Sequence, residues 1–140
     1  MLDLPQRSMD KTTLDRIRQT LAPLRPIAVY LFGSTAAGRA RSESDLDLAI
    51  LPSTAISSSQ LFDARLQLAE GLGHDVDLID LDRSTTVLRK EVMAGGCLLF
   101  ETDTIRRSEF EMYALSDYAR LNEERAPVLA AMGQPLHENA

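Results

Sequence analysis

At 140 residues, 44% hydrophobic and 26% charged, this chain has material for one globular domain with its own core and too little for two full-sized ones. Its net charge of −6, from 21 acidic and 15 basic residues, argues against a general nucleic-acid binder. No apolar run reaches membrane-spanning length, and the first residues lack the basic-then-apolar pattern of a signal peptide. With Cys97 as the lone cysteine there is no internal disulfide, so a cytoplasmic location is expected.

The elements follow in chain order. Thr12 or Thr13 is the expected cap of a helix carrying Leu14, Ile17 and Leu21, stopped by Pro23 and Pro26. Residues 27–32 (IAVYLF) read as a buried strand ending at Gly33, and residues 34–44 as a small, polar, basic loop. In SDLDLAIL, Leu46, Leu48 and Ile50 point one way and Asp45, Asp47 and Ala49 the other, which predicts a strand halted by Pro52. Residues 57–59 cap a helix that runs out at Gly71 and Gly73. Residues 74–81 (HDVDLIDL) form an acidic-apolar strand, STTVLRKEVMAGG from Ser84 a helix, and residues 97–101 a last short strand. Residues 104–132 are mostly helical, with an apolar stripe of Phe110, Tyr113, Ala114, Leu115, Tyr118 and Leu121, and Pro127 is expected to end or kink that helix. The order predicts an α/β (α+β) domain: a small mixed sheet with helices packed on one side and a long C-terminal helix.

The chemistry concentrates between residues 31 and 51. Asp45 and Asp47, two apart on a strand, share a face, and carboxylates that close repel unless a cation lies between them. Mg²⁺, which takes oxygen ligands and is commonly held by one or two carboxylates plus substrate phosphates, suits that need. A D-x-D on a half-exposed strand is by itself common. Here it follows Gly33-Ser34 by ten residues, where a glycine allows close backbone approach and the Ser34 hydroxyl can hold phosphate oxygens. A phosphate grip beside a metal grip is far more specific than either half.

Gly-Ser, ten residues, then Asp-x-Asp resembles the signature of the DNA polymerase β superfamily, with Gly33, Ser34, Asp45 and Asp47 on the signature positions. The short chain, with an acidic strand followed by a terminal helix, is similar to the minimal nucleotidyltransferases. Within them it resembles the MntA-type antitoxins that pair with HEPN-domain (HepT-like) toxins. Many minimal members carry arginine just before the second glycine, where this chain has Ala37. Arg39 and Arg41 are the candidates to bring charge to the triphosphate instead, with a solvated loop as the alternative.

The resemblance implies a polymerase-β-type fold, two Mg²⁺ ions, ATP as substrate and a third carboxylate on a neighbouring strand. Asp75, Asp77 and Asp80 are available. Alternation puts Asp75, Asp77 and Ile79 on one face and Val76, Leu78 and Asp80 on the core face, which makes Asp80 the poorest candidate. Asp77 is preferred over Asp75. The implied reaction is AMP transfer to a tyrosine hydroxyl of a HEPN ribonuclease, because no room remains here for an acceptor domain. Two other readings are a non-catalytic antitoxin that covers the toxin, and a transferase acting on a small molecule such as an aminoglycoside. Neither nucleic acid nor a membrane is an expected partner. The single domain divides into a catalytic core (10–103), a helical segment (104–132) suited to docking a partner, and a tail (133–140). His74 and His137 lack partners at metal-ligand spacing, Cys97 reads as a small core residue, and Arg89 and Lys90 as a solvated helix face.

Overall fold

The computed structural model describes residues 9–33 and 46–133. Chain order begins with α1 (Lys11–Leu21), a 3-10 turn (Ala22–Leu24), β1 (Pro26–Phe32) and β2 (Leu46–Pro52). It continues through α2 (Ser58–Leu72), β3 (Val76–Asp80), a second 3-10 turn (Leu81–Arg83), α3 (Thr86–Gly95), β4 (Cys97–Glu101) and α4 (Thr104–Ala131). The strands form one mixed sheet in the order β3-β2-β1-β4, with β1 antiparallel to both β2 and β4 and β3 parallel to β2. The fold class is as the sequence predicts.

Local chemistry sets the ends of the elements. Asp10, not Thr12 or Thr13, caps α1, because its carboxylate accepts the Thr13 N–H at 2.8 Å and so meets one of the unpaired donors of the first turn. Ser57 caps α2 in a reciprocal box: its hydroxyl accepts from the Gln60 N–H while the Gln60 side chain accepts from the Ser57 N–H. For α3 the cap is Thr85, one residue after the expected Ser84.

The expectation of helices on one side of the sheet is corrected. β1 is apolar on both faces, so both need cover. Val29 and Leu31 of β1, Leu48 and Ile50 of β2, and Val76 and Leu78 of β3 pack with Ile17 and Leu21 of α1 and Leu68 of α2. On the other face Ala28, Tyr30, Ala49 and Leu51 pack with Val92 of α3 and Phe110 of α4. Only the first face is visible in the alternation of β2, whose second face opens with aspartates.

Gly96, between α3 and β4, sits where a side chain has no room: a Cβ there would lie 2.6 Å from the Val92 carbonyl oxygen and 2.9 Å from that of Leu31. The long helix also departs from expectation. It continues through Pro127 to Ala131, since residue 123, whose carbonyl loses its donor, is exposed and water can serve it. Its stripe divides: Phe110 and Ala114 pack inward, whereas Tyr113 and Leu115, turned away by the 3.6-residue period, are exposed. The helix is tied to the sheet by a polar chain. The Tyr30 hydroxyl donates to Glu111 Oε2 at 2.7 Å, and Arg107 donates to Glu111 Oε1 at 2.9 Å and to Glu101 of β4. Burial, then the bond to Glu111, pushes the Tyr30 phenol above its ordinary range.

Candidate active site

β1 ends at Gly33, whose φ of +80° is a backbone state that favours glycine. The register of β1 with β2 sets Phe32 against Asp47, so Gly33 passes beside that carboxylate. A Cβ on Gly33 would overlap Asp47 Oδ2 and lie 3.2 Å from its Cγ. The glycine therefore keeps open the space over the half-buried Asp47 side chain.

The parallel register of β2 with β3 sets Asp47 against Asp77. Strand neighbours lie roughly 4.8 Å apart, so two carboxylates on one face of adjacent strands share one small volume. Like charges directly opposite destabilise a sheet, and a cation between them reverses the sign of that effect. The donor set is all oxygen, which suits Mg²⁺, and Gly33 leaves the approach clear; the residues fit that ion. Asp45 lies outside the described residues, as do Ser34, Arg39 and Arg41. Among the described residues no three acidic or imidazole side chains cluster as a complete metal site.

The other two acids of the β3 segment are placed differently. Asp80 is buried at 6% exposure, accepts the Asp82 N–H at 2.9 Å and meets Arg83 at 3.7 Å, so its task is to hold the turn after β3. Asp75 is exposed and precedes β3; its carbonyl accepts the Leu46 N–H at 3.2 Å, which fixes the parallel register at its first rung. Asp77 is exposed and level with Asp47.

Arg89 is expected from the sequence to lie on a solvated helix face, and the structure corrects that reading. It donates to the Leu81 carbonyl at 2.7 Å and the Asp82 carbonyl at 2.9 Å, bracing that same turn, and its guanidinium lies over Phe110. Nothing in the sequence pattern marks that role, because the acceptors are backbone atoms of another element. Lys90 lies 5.1 Å from the centre of the Tyr118 ring.

Residues 15–105 match the family described as polymerase beta, nucleotidyltransferase. The chain belongs to that family. It is a nucleotidyltransferase, and the strand pair bearing Asp47 and Asp77 is part of the matched region. The chain is 33% identical over 104 residues to the protein adenylyltransferase MntA of Shewanella oneidensis, covering 72% of each chain. A solved toxin–antitoxin complex with AMP-PNP contains a similar chain, with 30% identity, a TM-score of 0.75, and coverage of 85% of this chain and 97% of that one. Another similar chain is in the complex of tri-AMPylated Shewanella oneidensis HEPN toxin with MNT antitoxin, at 28% identity and a TM-score of 0.72, covering 89% of this chain and 98% of that one. Among the described residues no helix is long and apolar enough to cross a membrane.

Proposed function

We propose that this protein is an antitoxin that transfers AMP from ATP to a tyrosine hydroxyl of a HEPN-domain toxin, in the cytoplasm. The observation that carries the reading is the alignment of Asp47 with Asp77 beside the Cβ-free approach at Gly33. The likeness to a protein adenylyltransferase supports the choice of nucleotide and acceptor.

In this reading Gly33 and Ser34 hold the outer phosphates of ATP, and Arg39 and Arg41 add positive charge to the triphosphate. Asp45, Asp47 and Asp77 are the residues that would hold two Mg²⁺ ions. When bound, those ions supply charge neutralisation of the triphosphate and of the leaving pyrophosphate. Asp77 accepts the proton of the tyrosine hydroxyl. The tyrosine oxygen forms its bond to the α-phosphorus as the bond from that phosphorus to the bridging oxygen breaks, and pyrophosphate leaves with the electron pair. The helical segment 104–132, with Met112 and Tyr113 exposed, is the proposed surface for the acceptor protein.

The test is intact-mass spectrometry of a candidate HEPN toxin, taken from the same genome, incubated with this protein, Mg²⁺ and each nucleoside triphosphate in turn. Gain of one or more AMP units with ATP, absent with the Asp47→Asn variant, is the expected result. A tight complex with no gain in mass under any triphosphate would replace transfer with neutralisation by binding.

A further inference from the structure

A cleft of about 410 Å³ opens at the end of the sheet remote from the aspartates, where Pro26 of β1 pairs with Pro52 of β2. The seven residues of β1 separate it from Gly33 by roughly 20 Å. Its walls include Arg18, Arg25, Pro26, Ser53, Phe100 and Thr102, with no carboxylate among the described lining residues.

Among the described residues the two guanidiniums have no carboxylate partner. The exposed Arg18 sits over the buried Phe100 ring, its guanidinium carbon 4.5 Å from the ring centre. Arg25 is the non-glycine residue with a left-handed backbone among the described residues, at φ 53° and ψ 60°. That state is uncommon for a residue with a long side chain, and it is pinned here: the Arg25 N–H donates to Ala22, and its carbonyl accepts both the N–H and the hydroxyl of Ser53. Neither arginine forms an ion pair with a described carboxylate. In a chain with 21 acidic side chains, two guanidiniums on one cleft without a carboxylate partner among the described residues run against the composition.

The remaining donors decide the ligand. Phosphate sites are built largely from backbone N–H groups. Here Pro26 has none, and those of Arg25, Ser53 and Thr102 are spent on carbonyls. The Ser53 and Thr102 hydroxyls are also committed, to the Arg25 and Pro26 carbonyls. What is left is two guanidinium forks above an apolar floor of Ala22, Pro26 and Phe100, the complement of carboxylate side chains flanking an apolar one. We infer that this cleft is a docking site for an acidic segment of a partner protein, one that places two carboxylates on Arg18 and Arg25. The site stands apart from the transfer reaction, since it lies at the other end of the sheet.

The test is a ¹⁵N–¹H NMR titration of the full chain with the capped peptide Ac-Glu-Glu-Leu-Glu-NH₂, with Ac-Gln-Gln-Leu-Gln-NH₂ and with inorganic phosphate. The acidic peptide is expected to give saturable shifts at Arg18, Arg25, Ser53 and Thr102, and the other two probes none. Arg18→Gln/Arg25→Gln should weaken the peptide about tenfold or more while the rest of the spectrum is unchanged. If that variant unfolds, Arg18→Lys/Arg25→Lys, which keeps charge and loses the forks, should still weaken binding severalfold. Absence of localised shifts, equal binding by the folded variant, or phosphate shifting the same residues at the same concentration would each overturn the inference.

Discussion

Asp77 of β3 stands directly across the parallel register from Asp47 of β2. Without a cation this is an arrangement of like charges on one face of a sheet, and it is held in place by the pairing of Leu46, Leu48 and Ile50 with Val76, Leu78 and Asp80 on the core face. Burial of the apolar side fixes the register, since a one-residue slip of β3 would turn Val76 and Leu78 off the core face and bring Asp77 onto it. The repulsion is thus carried by the core. Mg²⁺ is expected to raise the thermal midpoint of the wild-type protein, and EDTA to return it. In Asp77→Asn the metal-free midpoint should match or exceed that of wild type, with the response to Mg²⁺ largely lost. Differential scanning calorimetry with and without 5 to 10 mM Mg²⁺, roughly the range that saturates weak carboxylate sites, reads both effects.

Gly33→Ala should damage function more than folding. The positive φ costs an alanine about 1 kcal/mol, and its Cβ displaces the Asp47 carboxylate. Chemical denaturation should show a loss of about 1–2 kcal/mol, while AMP transfer falls by roughly 10²-fold or more. Gly96→Ala is the opposite case. Its Cβ meets two backbone carbonyls rather than a mobile side chain, so the loss appears as reduced stability with per-molecule activity retained in the folded fraction.

The Tyr30–Glu111–Arg107–Glu101 chain predicts the pH limits of stability. The Tyr30 phenol stays protonated in the folded chain to a higher pH than in the unfolded one, where it ionises near pH 10. Its contribution is therefore complete below about pH 10 and declines as pH rises beyond that. Glu101 is held below its ordinary 4.5, first by its bond from Arg107, so its contribution is present above that value and is lost as pH falls. Urea midpoints across pH 3 to 11 are expected to fall at both ends. Tyr30→Phe should lower stability by about 1–2 kcal/mol at neutral pH, because Glu111 loses a donor, and should flatten the alkaline limb.

Much of this was legible in the residues. The alternation in residues 46–50 and 76–80 places Asp47, Asp77 and Asp80 on their observed faces, including the burial of Asp80, because the period of a strand is fixed by backbone geometry. Ser57 announces its helix through Gln60 three residues on. What the sequence conceals depends on contacts between distant elements. The helices on the second face answer to Ala28 and Tyr30, whose need for cover is invisible in a strand read only as an apolar run. The level pairing of Asp47 with Asp77 depends on the β2–β3 register, which no local pattern encodes. The Asp10 cap is hidden in the sequence because Thr12 and Thr13, two and three residues later, offer the same chemistry.

Asp77 is the proposed third acid, and single-residue variants at the three candidate positions test that role most directly. Initial rates of AMP transfer to the proposed HEPN acceptor would be measured for Asp75→Asn, Asp77→Asn and Asp80→Asn, each first shown to be folded by circular dichroism. Asp77→Asn is expected to lose roughly 10²–10⁴-fold, Asp75→Asn to stay within about threefold of wild type, and Asp80→Asn to lose stability rather than rate. Collapse of the rate in Asp75→Asn with Asp77→Asn still active would contradict the assignment.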